Sequence, residues 1–215
     1  MRYRTLFIGS LILAFLSACT TPDTQMPLTT PVVVSVYTTA STRPWLADVY
    51  ECAPENVVVR LEVDSTAADI SLRLGEPEFV PSAMYQIDTE EILVVAHRQS
   101  SVQNMSLEQV QNLFAGTESS NVQVWVYTLG EDVQGIFEQT VMQGRAVTSF
   151  ARLAADPQQM SDVLNTESNA VGVLPRHWKA GNPREVYSVG TFPVLAVLKD
   201  TAQGAIREII ACLQK

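Results

Sequence analysis

Residues 104–137 read NMSLEQVQNLFAGTESSNVQVWVYTLGEDVQGIF, and the period of their apolar positions changes within the stretch. Leu107, Val110, Leu113 and Phe114 fall three or four apart, which is one face of a helix. Ser106 stands where an N-cap belongs, with Gln109 three residues on to complete a capping box. Gly116 stands where helices end in the left-handed region. Val122, Val124 and Val126 then alternate with polar or aromatic neighbours, the period of a strand. Residues 128–132 read as a turn and 134–142 as a second helix. A strand that feeds a helix N-terminus leaves backbone N–H groups pointing outward, and α/β proteins place ligands there.

Upstream, 31–37 (PVVVSVY) is a continuous β-branched run, suited to a strand buried on both faces. It delivers Thr38, Thr39, Ser41 and Thr42 to the start of a helix over 45–52. Thr42 followed by Pro44 also fits a simple helix cap, so both readings stand. NVVVRLEV (56–63) is a second strand and AADISLRL (67–74) a third, with Asp64, Ser65 and Thr66 turning between them. The next strand is expected from about Glu91 to His97. Downstream, Asp156-Pro157 opens a helix with Met160, Val163 and Leu164 on its apolar face. A short strand follows at 169–174, then a loop, then returning strand or strands over 186–198 with Pro193 at an edge or a break. A terminal helix spans 201–213, with Ala205, Ile206, Ile209, Ile210 and Leu213 facing inward. Strands alternating with helices define an α/β class.

The chain opens differently. Arg2 and Arg4 precede an apolar run at 6–15, which is too short to span a membrane as a helix. Leu16-Ser17-Ala18-Cys19 then matches a bacterial lipobox. Residues 1–19 are therefore expected to be a lipoprotein signal segment, with Cys19 lipidated on the extracytoplasmic face of a cell membrane. Residues 20–30 (TTPDTQMPLTT) form a tether without apolar period. The leader holds two of the 14 basic residues and no acid, leaving 12 against 23, a net charge of −11. That balance argues against nucleic acid or an anionic lipid surface as partner. With Cys19 taken, Cys52 and Cys212 remain, either as a disulfide or as two unpaired thiols.

SLEQVQNLFAG (106–116), a strand, and a turn into GIFEQTVMQG (135–144) resemble the second lobe of phosphate-type periplasmic solute-binding proteins. NAVGVLP (169–175) is similar to their glycine-containing strand. The resemblance covers roughly 31–215. It implies a two-lobe, type 2 periplasmic-binding-protein-like sandwich, helices around mixed sheets. Lobe one would comprise 31–95 and 188–215 and lobe two 96–187, with crossovers near 95–100 and 185–190. It implies a monomer that presents a small solute to an ABC-type permease. It places Thr38, Thr39, Ser41, Thr42, Ser65 and Thr66 on lobe one's side of the cleft, and Thr128, Gly130, Glu131 and Asp132 on lobe two's. It also places the helices ending at Cys52 and Cys212 in one lobe, where the two cysteines can meet as a disulfide.

The resemblance breaks in two places. Related proteins carry a full helix between the second and third strands, for which this chain has no room, so the first lobe is reduced. Their anion-binding turn runs Arg, then Gly-Ser-Gly-Thr. Here those positions hold Tyr127, then Gly130, Glu131, Asp132 and Val133. Two carboxylates at a helix N-terminus occupy the dipole themselves and repel an oxyanion. Phosphate is therefore not expected as ligand, and the cleft should take a neutral or cationic solute or nothing. The plainer reading is that Asp132 caps the helix and Glu131 faces solvent.

No nucleophile–base set, metal motif, P-loop or dinucleotide fingerprint is present, so neither an enzyme nor a cofactor is expected. His97 reads as a surface or hinge histidine. His177 lies in a loop, and Glu90-Glu91 reads as a solvated strand edge. Two functions remain: a membrane-tethered solute-binding protein, or a degenerate relative with a structural or interaction role in the cell envelope.

Overall fold

The computed structural model describes residues 30–77, 83–117 and 121–215. The signal segment, Cys19 and the tether up to residue 29 lie outside the described residues, as do 78–82 and 118–120.

The β-branched run 31–37 forms β1 (Val32–Thr38). It leads through a 3-10 turn (Arg43–Trp45) into α1 (Leu46–Glu51). Strands β2 (Val57–Leu61), β3 (Ile70–Leu74) and β4 (Ala83–Ala96) follow. Then come α2 (Leu107–Ala115), β5 (Gln123–Tyr127) and α3 (Asp132–Phe137), which runs straight into a π-helical turn (Glu138–Met142). The remainder is β6 (Arg152–Ala154), α4 (Pro157–Thr166), β7 (Ala170–Pro175), a 3-10 turn (Arg176–Trp178), β8 (Arg184–Leu198) and α5 (Gly204–Leu213).

Local chemistry explains the ends of these elements. Ser106 and Gln109 form the reciprocal capping box of α2, and Gly116 closes it at φ 73°. Asp156 caps α4 by accepting from the Gln159 N–H at 2.8 Å, with Pro157 in the first turn. As expected, residues 62–69 hold only turns, and no helix separates β2 from β3.

The strands make one mixed sheet in the order β2-β1-β3-β8-β4-β7-β5-β6. β4 and β8 are its spine. They pair antiparallel from Ala83↔Leu198 to Ala96↔Arg184. At one end of the sheet, β3 adds to β8, β1 to β3 and β2 to β1. At the other, β7 adds to β4, and β5 and β6 add to β7. The residues at the strand interfaces, among them Ile70, Leu72, Ile92, Leu93 and Leu174, are fully buried. Phe114 of α2 and Phe137 of α3 meet with ring centroids 4.6 Å apart. Fully burying side chains of this size contributes roughly 1.5–3 kcal/mol each.

Several expectations are corrected. β1 is not buried on both faces throughout: Val32 and Val33 are 46% and 52% exposed. The first half of β1 has only the edge strand β2 beside it, because β3 joins at Val36. β4 starts at Ala83 rather than near Glu91. Its polar first half, QIDTEE, is held in strand by β8 and not by its own pattern. The return is a single strand. Pro193 lies inside it, where β3 has ended at the Leu74↔Val194 pair. Its carbonyl accepts from the Gly75 N–H at 2.9 Å, so its missing N–H faces the place where that ladder stops. α3 begins at Asp132, two residues before the expected start, and α5 begins at Gly204.

Candidate functional site

Three segments from opposite ends of the sheet converge beside the spine. The first is the β1–α1 loop. Its hydroxyls are not left open: Thr39, Ser41 and Thr42 are all buried. Thr39 Oγ1 lies 3.0 Å from both Ser41 Oγ and Thr42 Oγ1. Thr42 does not cap the helix that follows. Its hydroxyl donates to the Leu72 carbonyl at 3.0 Å, which fastens the loop to β3. Thr38 ends β1 and is half-buried.

The second segment is the end of β3, and the third is the β5–α3 turn. Gln134 fixes that turn: its Oε1 accepts from the Tyr127 N–H at 3.0 Å, and its Nε2 donates to Glu138 at 2.7 Å. Gly130, at φ 100°, makes the reversal, a conformation glycine adopts without a Cβ clash. Thr128 and Gly130 are exposed.

Asp132 is not a helix cap. Its carboxylate crosses to the other end of the sheet, where Oδ2 accepts from the Leu74 N–H at 3.0 Å. Oδ1 lies 3.9 Å from the Arg73 guanidinium, and the side chain is 9% exposed. Burial pushes its pKa up, against the Leu74 N–H, the Thr39 hydroxyl and Arg73, which all favour the charged form. Glu131 does not face solvent either. One carboxylate oxygen is buried with no hydrogen-bond partner. Its pKa is raised, first by burial and then by Asp132 and Asp156, with Arg43 opposing. The buried Tyr127 hydroxyl, also without a partner, is pushed well up by burial and then by Glu131 and Asp156.

A second bridge between the ends of the sheet went unread in the sequence. Glu90 is no solvated edge residue. Its side chain is 1% exposed and accepts from the His177 N–H at 3.3 Å, with His177 Nδ1 at 2.6 Å. The His177 ring packs on Trp45, centroids 4.6 Å apart. Trp178 Nε1 donates to the Ser41 carbonyl at 3.0 Å, and Trp45 Nε1 to Asp88 at 2.8 Å. The turn after β7 therefore grips the loop after β1. The two tryptophans were the available signal, since a buried indole N–H needs an acceptor.

Ser65 and Thr66 stand apart from this convergence. The Thr66 N–H and hydroxyl both donate to Asp64 at 2.8 Å, and the Ser65 carbonyl accepts from Ser71. His97, expected at the surface or at a hinge, is not at the surface: it is buried at the end of β4, and its Nδ1 accepts from the Gln99 N–H at 3.1 Å. The two cysteines do meet: Cys52 and Cys212 form a disulfide with Cα atoms 5.6 Å apart. Among the described residues, no cluster of three His, Cys, Asp or Glu side chains can hold a metal ion. No described helix is long and apolar enough to cross a membrane.

The space left beside Asp132 is an open groove of about 760 Å3 between the end of β3 and the α3 region. Arg73 and Glu76 line one side, and Glu131, Glu138 and Arg145 the other.

A single mixed sheet spined by two long antiparallel strands, with helices packed around it, is a type 2 periplasmic-binding-like fold. Solved structures agree. The chain matches a Clostridium perfringens protein assigned as a phosphate ABC transporter substrate-binding protein, with bound phosphate. The TM-score is 0.71 and the identity 14%, over 84% of this chain and 92% of that one. An ABC-type phosphate transport receptor from Vibrio cholerae matches with TM-score 0.63 and 15% identity, over 85% and 93%. The CcmR regulatory domain of Synechocystis, in complex with 2-PG, matches with TM-score 0.64 and 9% identity, over 85% and 95%. At such identities the likeness is one of fold. No family model matches the sequence, and no curated protein does.

Proposed function

We propose that the chain is a solute-binding lipoprotein, anchored through Cys19 on the extracytoplasmic face of a membrane and serving an ABC-type permease as a monomer. In this reading, residues 31–95 and 188–215 act as one lobe and 96–187 as the other, with β4 and β8 between them. The solute is neutral or cationic and enters the groove beside Asp132. One observation carries the choice of solute: a buried carboxylate, with a second beside it, stands where the turn meets the opposite lobe. An oxyanion brought there meets like charge at close range in a site of low dielectric. The Clostridium and Vibrio proteins lend the transport role. The lipobox lends the anchor.

The test is a thermal-shift panel on the full-length chain, covering amines, amino acids, sugars and inorganic phosphate. A ligand present at a hundred times its Kd stabilises by about 2.7 kcal/mol, a shift easily read. The reading expects an uncharged or cationic compound to raise the Tm and phosphate to leave it unchanged.

A second reading, a structural or interaction domain of the envelope, is favoured by the buried, mutually bonded hydroxyls of Thr39, Ser41 and Thr42, none of which is offered to a solute. A panel that is flat throughout supports it.

A further inference from the structure

We propose that Asp132 is a built-in ligand of the cleft: a carboxylate carried by one end of the sheet that takes the anion-recognising donors of the other end and ties the two together with no solute bound. The proposal rests on the solute-binding reading above and states what occupies those donors at rest.

The donors around this carboxylate are of two kinds, and both come from the opposite side. Leu74, at the end of β3, supplies a backbone N–H at 3.0 Å. Arg73 supplies a guanidinium at 3.9 Å. A backbone N–H and a guanidinium are groups that proteins use to hold carboxylates and phosphates. Asp132 itself belongs to α3, whose N-cap position is held by Glu131. The carboxylate thus reaches away from its own helix and across the cleft.

The β1–α1 loop is fastened to the same strand: Thr42 donates to the Leu72 carbonyl at 3.0 Å, and with that proton committed Thr39 donates to Thr42 across their 3.0 Å contact. An anion is therefore already in place, tethered to the chain at a high effective concentration. A free oxyanion must displace it before it can bind.

The experiment is amide hydrogen exchange on the full-length chain with its disulfide intact, comparing the native protein with Asp132→Ala, each with and without 10 mM inorganic phosphate. The expected result has two parts. Exchange at Leu74 and across the β1–α1 loop rises at least tenfold in the variant, while amides of β5 and β7 stay within about twofold. Phosphate then restores protection at Leu74 in the variant and changes nothing in the native chain. Unchanged exchange at Leu74, acceleration spread evenly over the core, or a variant blind to phosphate each overturns the proposal. If the alanine variant does not fold, Asp132→Ser, which also vacates the seat, carries the same expectations. Loss of the phosphate response strikes this proposal and leaves the solute-binding reading standing, whereas a flat solute panel on the native chain strikes that reading whatever the exchange shows.

Discussion

At the residue scale, two acids beside each other do different work. Asp132 has found donors for its charge, and Glu131 has not. Burial, Asp132 and Asp156 all raise the Glu131 pKa. A carboxyl whose folded pKa lies above its unfolded value stabilises the fold when protonated. That contribution is present below the unfolded pKa and is lost as pH rises through the folded one. Glu131→Gln mimics the protonated form, so it should raise the Tm by a few degrees at pH 7. The gain should shrink as pH falls and vanish below about pH 4, where the native carboxyl is itself neutral. Thermal melts of both proteins across pH 4–8 check this. Comparing the two cancels the opposite trend from Glu91 and Glu185, whose pKa values are lowered chiefly by Arg176 and Lys179 respectively. On the plainer reading of the sequence, Asp132 is a cap and Glu131 a solvated neighbour, because an acid in the first turn of a helix is ordinarily a local device. The Asp132 partner, Leu74, is 58 residues away, and no local pattern reports so distant a donor.

At the scale of elements, what is local was legible and what is paired at a distance was not. The caps of α2 and α4 follow from residues within a turn of each helix end, and both stand as read. Ser106→Ala should therefore cost about 1 kcal/mol in urea melts. Gly116→Ala should cost about 1–2 kcal/mol, since φ 73° is a left-handed conformation that disfavours a Cβ. The added methyl would also press on Thr148. A Gly116→Ala protein as stable as the native chain would contradict the assigned end of α2. The first half of β4 was illegible because its strand character comes from β8, more than a hundred residues on. The burial of Glu90 has the same origin: its partner His177 is 87 residues away. Truncating that buried acceptor while His177 remains leaves donors unpaired, at about 1–3 kcal/mol. Glu90→Ala should accordingly cost more than Ser106→Ala.

At the scale of the whole molecule, the resemblance in one helix–strand–turn stretch was enough to place the fold class, because strand order and crossover follow from few rules once the class is known. The Cys52–Cys212 bond was readable only through that class, which brings the ends of α1 and α5 together. It closes a loop of 160 residues, and replacing both cysteines by alanine should cost about 2–5 kcal/mol. The anchor is tested separately: Cys19→Ser should leave an unprocessed precursor or release the protein from the membrane fraction, and a variant that is still cleaved and still membrane-bound contradicts the lipobox reading. The central claim concerns the groove beside Asp132, where a chain similar in fold to a phosphate ABC transporter substrate-binding protein carries its own carboxylate across to β3. Isothermal titration of the purified native chain with inorganic phosphate at pH 7 tests it most directly. The account predicts no heat of binding, and a Kd in the micromolar range or tighter would contradict it.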